Sequence, residues 1–501
     1  MAEKKLENRY VNDLRRQEFI QSTARGALNQ ALPIFLSMLF LAVIGIAIST
    51  SSLSANESYL NGSLILILAA IFGGYMALNI GANDVANNMG PAVGGRVLTI
   101  GGAVAIAAVA EAAGALLAGG DVVSTVSKGI ISPTAFDNPN TFVLLMLAAL
   151  IAAAVWINLA TILNAPVSTT HSIVGGVLGG GVAAAGLSVV NWPMMGSIAA
   201  SWVISPVLGG LIAACMLYAI KTLILFKKDK LAAARKWVPV FMAIMAATFA
   251  AYMSMKGLKK IWKADLASVF YVSAAFFVIA GALAVPYVRA LSSTLRNKKK
   301  DISRLFHLPL IFGAALLSFA HGANDVANAV GPLAAIASVL THTGDTAVQA
   351  KVTIPFWVLL IGGTGISIGL ALFGPKLIRT VGEKITRLNA IRAFCVALSA
   401  AITVLIATSM GLPVSSTHIA IGSIFGVGFL REYLENPKRK AGRRKALLNA
   451  TPDAALKQTV IRQRRMLVRR KFAYSIAAAW VITVPATAVL AAGIYLALAM
   501  F

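Results

Sequence analysis

The sequence predicts an all-α polytopic membrane protein, built as an inverted-topology repeat of two transmembrane halves with broken helices and paired re-entrant hairpins. Three observations predict this fold class: long apolar runs, the placement of the basic residues, and two motifs that each occur twice. Of the 501 residues, 58% are hydrophobic and only 12% are charged. Soluble domains have about 25% charged residues, so the composition excludes a disordered chain, a coiled coil and an ordinary soluble enzyme.

The apolar runs are the first of these observations. A transmembrane helix needs about 20 apolar residues, because each residue adds ~1.5 Å across a hydrocarbon core ~30 Å thick. Apolar runs occur at 31–50, 64–80, 98–119, 141–163, 166–187, 196–226, 238–256, 266–290, 308–320, 355–374, 392–411, 418–430 and 472–500. We interpret run 31–50 as an uncleaved helix, since a signal peptide places its basic region directly before a short apolar stretch. Cys215 and Cys395 lie inside runs and are interpreted as core side chains.

The basic residues predict the topology. The formal net charge is +26, and the Lys and Arg residues are concentrated in the tail 1–30 and in segments 227–236, 296–304 and 431–471. Cytoplasmic loops are enriched in Lys and Arg, so we expect these segments and the N-terminus to be cytoplasmic. Segment 431–471 has 14 Lys or Arg against 3 Asp or Glu. We interpret it as a solvated loop and not as a segment that binds nucleic acid or anionic lipid, because it is tethered between membrane helices and has few aromatic residues to stack on bases.

Two motifs occur twice in the same order. Gly-Ala-Asn-Asp-Val-Ala-Asn stands at 81–87 and again at 322–328, 241 residues later. Pro-Val-Ser-Thr-Thr-His at 166–171 returns as Pro-Val-Ser-Ser-Thr-His at 413–418, 247 residues later. The chain is therefore predicted to be a duplicated unit. If the membrane crossings are counted from a cytoplasmic N-terminus, the two copies run in opposite directions across the membrane. Secondary transporters are often built from such inverted repeats, with the substrate site near the middle of the bilayer.

The crossings leave one local alternative and define the domains. Each Pro-Val-Ser motif separates two apolar runs, which are either two full crossings or the arms of a re-entrant hairpin with the motif at its tip. We expect the following parts: a basic cytoplasmic tail (1–30), an extra helix with a periplasmic loop (31–62), a first repeat (63–226), basic loops with a helix pair (227–305), a second repeat (306–430), a basic cytoplasmic loop (431–471) and a C-terminal transmembrane helix (472–501).

The first motif predicts a cation site. Gly81 and Gly90-Pro91 favour a break in the helix, since glycine costs about 1 kcal/mol and proline about 3 kcal/mol in a helix interior. The motif also supplies hard oxygen ligands suited to Na⁺, namely Asn83, Asp84 and Asn87 with Asn324, Asp325 and Asn328. A purely structural role as interhelical polar contacts is the alternative. Two aspartates favour binding, because each costs about 2.5–3.5 kcal/mol in the membrane.

The second motif predicts an anion site. Proline ends one helix, and the hydroxyl residues that follow cap the next helix, whose free N–H groups attract anions. The hydroxyl residues are Ser168, Thr169 and Thr170 with Ser415, Ser416 and Thr417. His171 and His418 end the two copies and either contact the ligand, move a proton or satisfy local backbone, of which the last is favoured. No metal-enzyme spacing or phosphate loop is present, so an enzyme is not expected.

Together the four motifs resemble the inorganic phosphate transporter family of sodium- or proton-coupled symporters, over residues 64–190 and 308–430. The resemblance implies an inverted repeat with paired re-entrant hairpins, and often a homodimer. It implies that Asp84, Asp325 and their neighbouring asparagines bind the coupling cations, together with Glu111, and that the six hydroxyl residues hold phosphate. We also expect Asp84 or Asp325 to accept the proton that a bound phosphate donates. Glu111 matches a glutamate that is important in many members, and we expect its counterpart in the second half at Ala397.

The sequence therefore predicts a symporter that imports inorganic phosphate across the cytoplasmic (inner) membrane by alternating access, coupled to Na⁺ bound at the Asp84 and Asp325 clusters. The expected partners are phosphate, Na⁺ or H⁺, membrane lipid and a second copy, with no cofactor and no nucleic acid. Three alternatives stay open. They are H⁺ coupling through Asp84, Asp325 or Glu111, a sulfate permease of the same fold, and a membrane receptor or scaffold that acts through loop 431–471.

Overall fold

The computed structural model describes residues 31–51, 62–163, 167–259, 261–341, 354–384, 388–434 and 470–500. Within these ranges the chain is helical and has no β-strand, apart from one isolated bridge between Ile131 and Val190. The tail 1–30 and most of the basic loop 431–471 lie outside the described residues.

The helices are α1 (Ala31–Thr50), α2 (Gly62–Gly94), α3 (Ile100–Ala118), α4 (Gly120–Ser124), α5 (Pro139–Ile162), α6 (Thr169–Ala185), α7 (Trp192–Ile220), α8 (Lys230–Tyr252), α9 (Leu266–Ser293), α10 (Lys299–Ile302), α11 (His307–Thr341), α12 (Phe356–Lys384), α13 (Ala390–Ser409), α14 (Ser416–Tyr433) and α15 (Arg470–Leu498). Short π-helical turns, 221–225 and 253–257, extend α7 and α8.

Eleven helical segments in the described part of the chain are long and apolar enough to span a membrane. They lie at 31–50, 62–94, 100–118, 139–162, 192–225, 230–257, 266–293, 299–341, 356–379, 390–409 and 481–498. The all-α multi-pass fold predicted from the sequence is confirmed. Helices α6 and α14, which begin at the two Pro-Val-Ser motifs, are not among these segments.

The predicted break in the motif helices is wrong. Helix α2 runs without interruption from Gly62 to Gly94 through the first Gly-Ala-Asn-Asp motif, and α11 does the same through the second. The physical reason is tertiary packing. A Cβ added at Gly81 would collide with the backbone of Ile366, and one added at Gly322 would collide with the backbone of Glu111. The glycines therefore serve close helix contact, whose packing offsets their low helix propensity.

These close contacts occur in matched pairs, and they show how the two copies correspond. Helix α3 packs on α11, and α12 packs on α2. The matched pairs are Gly322 on Glu111 with Gly81 on Ile366, Gly114 on Phe319 with Gly369 on Leu78, and Gly119 on Val326 with Gly374 on Val85. Ile366 therefore occupies the place of Glu111 in the second copy. The expected counterpart, Ala397, is wrong because it lies on α13 and not on α12.

The outer helices show a second set of matched contacts. Helix α6 packs on α15 and α14 packs on α7. The matched pairs are Gly175 on Val484 with Gly422 on Pro206, and Gly179 on Ala488 with Gly426 on Gly210. We infer that α15 is the counterpart of α7. The second unit then extends to residue 498, with the basic loop inserted between α14 and α15.

We expect Gly81→Ala and Gly369→Ala to lower the melting temperature of the purified protein, because each new methyl group meets backbone that cannot move aside. Overpacking of this kind costs about 1–3 kcal/mol. Gly493→Ala on α15 is the matched control, since no heavy atom lies within 4 Å of its added Cβ. This control should unfold at or above the wild-type temperature. A thermal-shift measurement in detergent that ranks all three variants equally would contradict the matched packing.

Candidate functional site

The candidate site lies where two helix ends meet two buried aspartates. Asp84 and Asp325 are 2% and 1% exposed and stand well inside the long helices α2 and α11. The N-termini of α6 and α14 reach the same point from the two Pro-Val-Ser motifs. The hydroxyl of Thr170 donates to the carbonyl oxygen of Val414 at 3.0 Å, so the two helix ends are in direct contact.

Threonines connect the helix ends to the aspartates. The Thr169 hydroxyl lies 3.0 Å from Oδ2 of Asp325 and 3.3 Å from Oδ2 of Asp84, and it can donate to either. The Thr417 hydroxyl donates to Oδ1 of Asp84 at 3.2 Å. One hydroxyl group therefore bridges two carboxylates from different halves of the chain.

Two asparagines bind the opposite half in the same way. Asn87 Nδ2 donates to the hydroxyl of Thr417 at 2.7 Å, and Asn328 Nδ2 donates to the hydroxyl of Thr170 at 3.0 Å. These residues are equivalent in the two copies of the motifs. Each motif helix is therefore tied to the helix end that belongs to the other copy.

The other two asparagines differ from each other. Asn324 holds the segment before α14, because its Nδ2 donates to Thr408 at 2.9 Å and its Oδ1 accepts from the amide of Val414 at 3.1 Å. Asn83 is partly buried, and its Nδ2 has no hydrogen-bond partner among the described residues. Asn324 therefore positions the backbone before α14, while the Nδ2 group of Asn83 remains available to another partner.

The serines also divide into two roles. Ser168 and Ser415 are N-cap residues whose hydroxyls accept from the amides of His171 and His418 at 3.2 Å and 3.4 Å. Ser416 is buried, and its hydroxyl has no hydrogen-bond partner within the described chain. The caps fix the direction of α6 and α14. They use the hydroxyl oxygens of Ser168 and Ser415 as acceptors, so the O–H donors of these serines remain for a ligand, as does the hydroxyl of Ser416.

Sequence reasoning missed His321. It is fully buried, its Nε2 lies 3.6 Å from one oxygen of Asp84 and 3.6 Å from one of Asp325, and its Nδ1 lies 3.2 Å from Oε2 of Glu111. One ligand atom from each of Asp84, His321 and Asp325 lies within 4.8 Å of the others. A usable signal was the spacing of four residues to Asp325, which places both side chains on one helix face. The first copy has Ile80 at this position.

Glu111 lies next to the aspartates and not between them. Its side chain is fully buried and accepts from Nδ2 of Asn88 at 2.9 Å, while its other oxygen faces His321. Asn88, four residues after Asp84, was also not predicted. Glu111, Asn88 and His321 therefore form a buried polar group, and the imidazole of His321 links it to the two aspartates. The second copy has no such group, because Ile366 stands where the first copy has Glu111.

The motif histidines pack behind the helix ends. The rings of His171 and His418 are 4.8 Å apart, and His171 also contacts the indole of Trp202 at 3.8 Å between ring centroids. The Trp202 Nε1 group donates to the carbonyl oxygen of Pro413 at 3.2 Å. The favoured expectation, that these side chains satisfy local backbone, is not met at His171, whose Nδ1 has no hydrogen-bond partner among the described residues.

Several buried polar atoms at the junction have no hydrogen-bond partner among the described residues. They are Oδ1 of Asp325, Oδ1 of Asn328, the hydroxyl of Ser416 and Nδ2 of Asn83. Buried polar groups are normally satisfied. A cluster of oxygens and N–H groups that lacks partners inside the protein is what a small polar ligand requires.

Comparison with known proteins is consistent with this geometry. A family model described as "Phosphate transporter family" matches residues 80–491. The chain belongs to this family. It is a multi-pass membrane transporter and not an enzyme, as the sequence motifs predicted.

Similar proteins extend over most of the chain. A "Putative phosphate permease" of Helicobacter pylori (strain J99) is 46% identical over 85% of this chain and 79% of its own length. A relative of the same description from Pyrococcus abyssi is 39% identical over 73% of this chain and 89% of its own. A solved structure titled "The sodium-dependent phosphate transporter" matches with a TM-score of 0.75 and 38% identity, over 87% of this chain and 100% of that one.

We expect Thr169→Val to lower the uptake of the transported anion about ten- to a hundredfold, since a hydrogen bond to a charged group contributes about 1.5–3 kcal/mol. Thr403→Val is the matched control, because the Thr403 hydroxyl donates only to the carbonyl oxygen of Ser399 within α13. Uptake into proteoliposomes measures both. Equal losses in the two variants would show that Thr169 has no special role.

Proposed function

We propose that this chain is a secondary active symporter that imports inorganic phosphate across the cytoplasmic membrane together with Na⁺. The observation that supports this most strongly is the pair of buried carboxylates, Asp84 and Asp325, joined by the hydroxyl of Thr169 at the meeting point of two helix N-termini. The site thereby presents acceptors for cations and donors for an anion within one small volume.

Charge balance explains why the two ions bind together. Two carboxylates that are almost completely buried repel each other, and a multiply charged anion placed beside them adds to this repulsion. Cations at Asp84 and Asp325 offset both effects. A buried charge without a partner is costly, so neither phosphate nor the cations should bind well alone. This mutual dependence is the basis of coupled transport.

The described contacts favour particular ligands for the cations. Asn328 uses its Nδ2 to hold Thr170 of the other copy's helix end, and its Oδ1 has no hydrogen-bond partner among the described residues. Carboxylate and amide oxygens are hard ligands, suited to Na⁺. We propose Asp325 with Asn328, and Asp84 with Asn87 and Asn83, as the two cation-binding clusters. Asn324, whose Oδ1 already accepts from the amide of Val414, supports the first cluster by holding the backbone before α14.

Phosphate is proposed to bind at the ends of α6 and α14. The first N–H groups of a helix have no partner inside the helix and favour an anion there. Thr169, Thr170, Ser416 and Thr417 surround this point, while Ser168 and Ser415 orient the two helices as their caps. The carboxylates also explain a preference over sulfate, because a phosphate hydroxyl can donate to them and sulfate has no such proton.

Alternating access follows from the exchanged packing of the two units. Helix α3 packs on α11 and α12 on α2, so movement of one unit carries helices of the other with it. We propose that the units have opposite orientations in the membrane, that the hairpins α5–α6 and α13–α14 enter from opposite faces, and that the N-terminus is cytoplasmic. We propose a homodimer on the resemblance to the family alone.

Coupling to H⁺ is the second candidate, and one observation favours it. His321 lies between Glu111 and the two aspartates, with nitrogen–oxygen distances of 3.2–3.6 Å. Such a chain of ionisable groups can hold and transfer a proton. Glu111 would then be a proton carrier and not a sodium ligand.

Uptake of ³²P-phosphate into proteoliposomes tests the proposal and separates the two candidates. With an inward Na⁺ gradient we expect concentrative uptake that arsenate blocks and sulfate does not. Asp84→Asn should abolish it, because the carboxylate charge that holds the cation is lost. Asp137→Asn, at an exposed loop carboxylate, should leave uptake unchanged.

The other outcomes are equally informative. Uptake driven by a pH gradient and indifferent to Na⁺ would replace Na⁺ by H⁺ in the proposal. Transport of sulfate without phosphate would overturn the substrate. Uptake that requires loop 431–471 and survives Asp84→Asn would favour a role in the loop over a role in the buried site.

A further inference from the structure

A cluster of basic side chains lies at the C-terminal end of α7. It comprises Lys221 in the turn after α7, Arg392 in the first turn of α13, Arg431 in the last turn of α14 and Lys299 of α10. We call these four residues the basic cluster. The contacts of Gly422 with Pro206 and of Gly426 with Gly210 make α14 run parallel to α7, so the last turn of α14 and the first turn of α13 lie at the same end of the helices as Lys221. The positive charges of Arg392, Arg431 and Lys299 accordingly act on Lys221.

No ion pair joins a described carboxylate to the basic cluster, although Asp301 and Glu432 stand two positions and one position from Lys299 and Arg431. The ion pairs that described carboxylates form have other partners: Asp121 pairs with Lys256 and Lys259, and Asp301 pairs with Arg296. Lys221 and Arg392 are partly buried, so water compensates their charges incompletely. Arg392 also stands at the positive end of a helix, which adds to the unfavourable charge. An anion from outside the chain would relieve this repulsion.

The basic cluster lies on the side of the protein where the basic loops are. Lys221 precedes segment 227–236, and Lys299 belongs to segment 296–304. These two segments are joined, since Asn297 Nδ2 donates to the carbonyl oxygen of Lys228 at 2.9 Å. The enrichment of Lys and Arg assigns this side to the cytoplasm.

Exposed apolar side chains border the basic cluster. Tyr218 lies one helical turn before Lys221, and Phe226 follows the same turn; both are more than half exposed. Phe429 beside Arg431 is exposed as well, and exposed Leu211 and Val207 continue the apolar surface along α7. Acyl chains need such a surface next to the site of their headgroup. A free phosphate ion does not.

We propose that the basic cluster binds the phosphate headgroup of an anionic phospholipid from the cytoplasmic leaflet, with its acyl chains along α7 and α14. Basic pockets between transmembrane helices on the cytoplasmic side suit such headgroups. The cluster joins α7 to both arms of the hairpin α13–α14. The bound lipid therefore fixes the base of the hairpin whose tip enters the transport site, and it does so independently of the ions transported there.

Native mass spectrometry of the full-length protein in detergent tests this, with phosphatidylglycerol, phosphatidylcholine or inorganic phosphate added. We expect retention of phosphatidylglycerol over phosphatidylcholine. The double variant Lys221→Gln/Arg392→Gln should weaken that retention about thirtyfold, because it removes two cations next to an anionic lipid. Lys221→Gln alone, on a partly exposed side chain, should weaken it about fivefold and guards against misfolding of the double variant.

The control is Lys228→Gln/Lys300→Gln, which removes two exposed charges on the same side but outside the basic cluster. It should retain phosphatidylglycerol as the wild type does. Equal retention by the cluster variants and the wild type would overturn the proposal. So would binding of inorganic phosphate at the cluster without any preference for phosphatidylglycerol.

Discussion

The structure depends on keeping two carboxylates of like charge, Asp84 and Asp325, in one buried place inside a membrane protein. An aspartate alone costs about 2.5–3.5 kcal/mol in the membrane, and a second one nearby adds repulsion. The hydroxyls of Thr169 and Thr417 and the imidazole of His321 lower part of this cost. In the function proposed above, ligands outside the chain lower the rest, which would link anion binding to cation binding.

The helix packing holds this site together. Glycines at the crossing points let backbones touch, so α3 lies against α11 and α12 against α2. Several contacts at the centre join one half of the chain to the other, as Asn87 with Thr417 and Asn328 with Thr170 illustrate. Neither half can form the site alone. The duplication therefore provides the two proposed cation clusters and the surface along which we propose that the units move.

Much of the site was predictable because it is encoded in local motifs. Aspartates, asparagines and hydroxyl residues at fixed spacing predicted which side chains the structure brings together at the junction; their roles as cation and anion ligands stay predictions. The continuous path of α2 through Gly81 was not predictable, since helix propensity disfavours it and only packing against Ile366 explains it. Tertiary structure alone shows that Ile366 stands in the place of Glu111 and that His321 lies between Glu111 and the aspartates. They bring together residues that are hundreds of positions apart in sequence.

The central claim is that phosphate and its coupling cations require each other. Isothermal titration of phosphate into the purified protein tests it most directly, once in sodium buffer and once with choline in its place at the same pH. We expect phosphate to bind in sodium and to show no measurable binding in choline, because the carboxylates of Asp84 and Asp325 then repel the anion. Equal affinity in the two buffers would contradict sodium-dependent binding at this site.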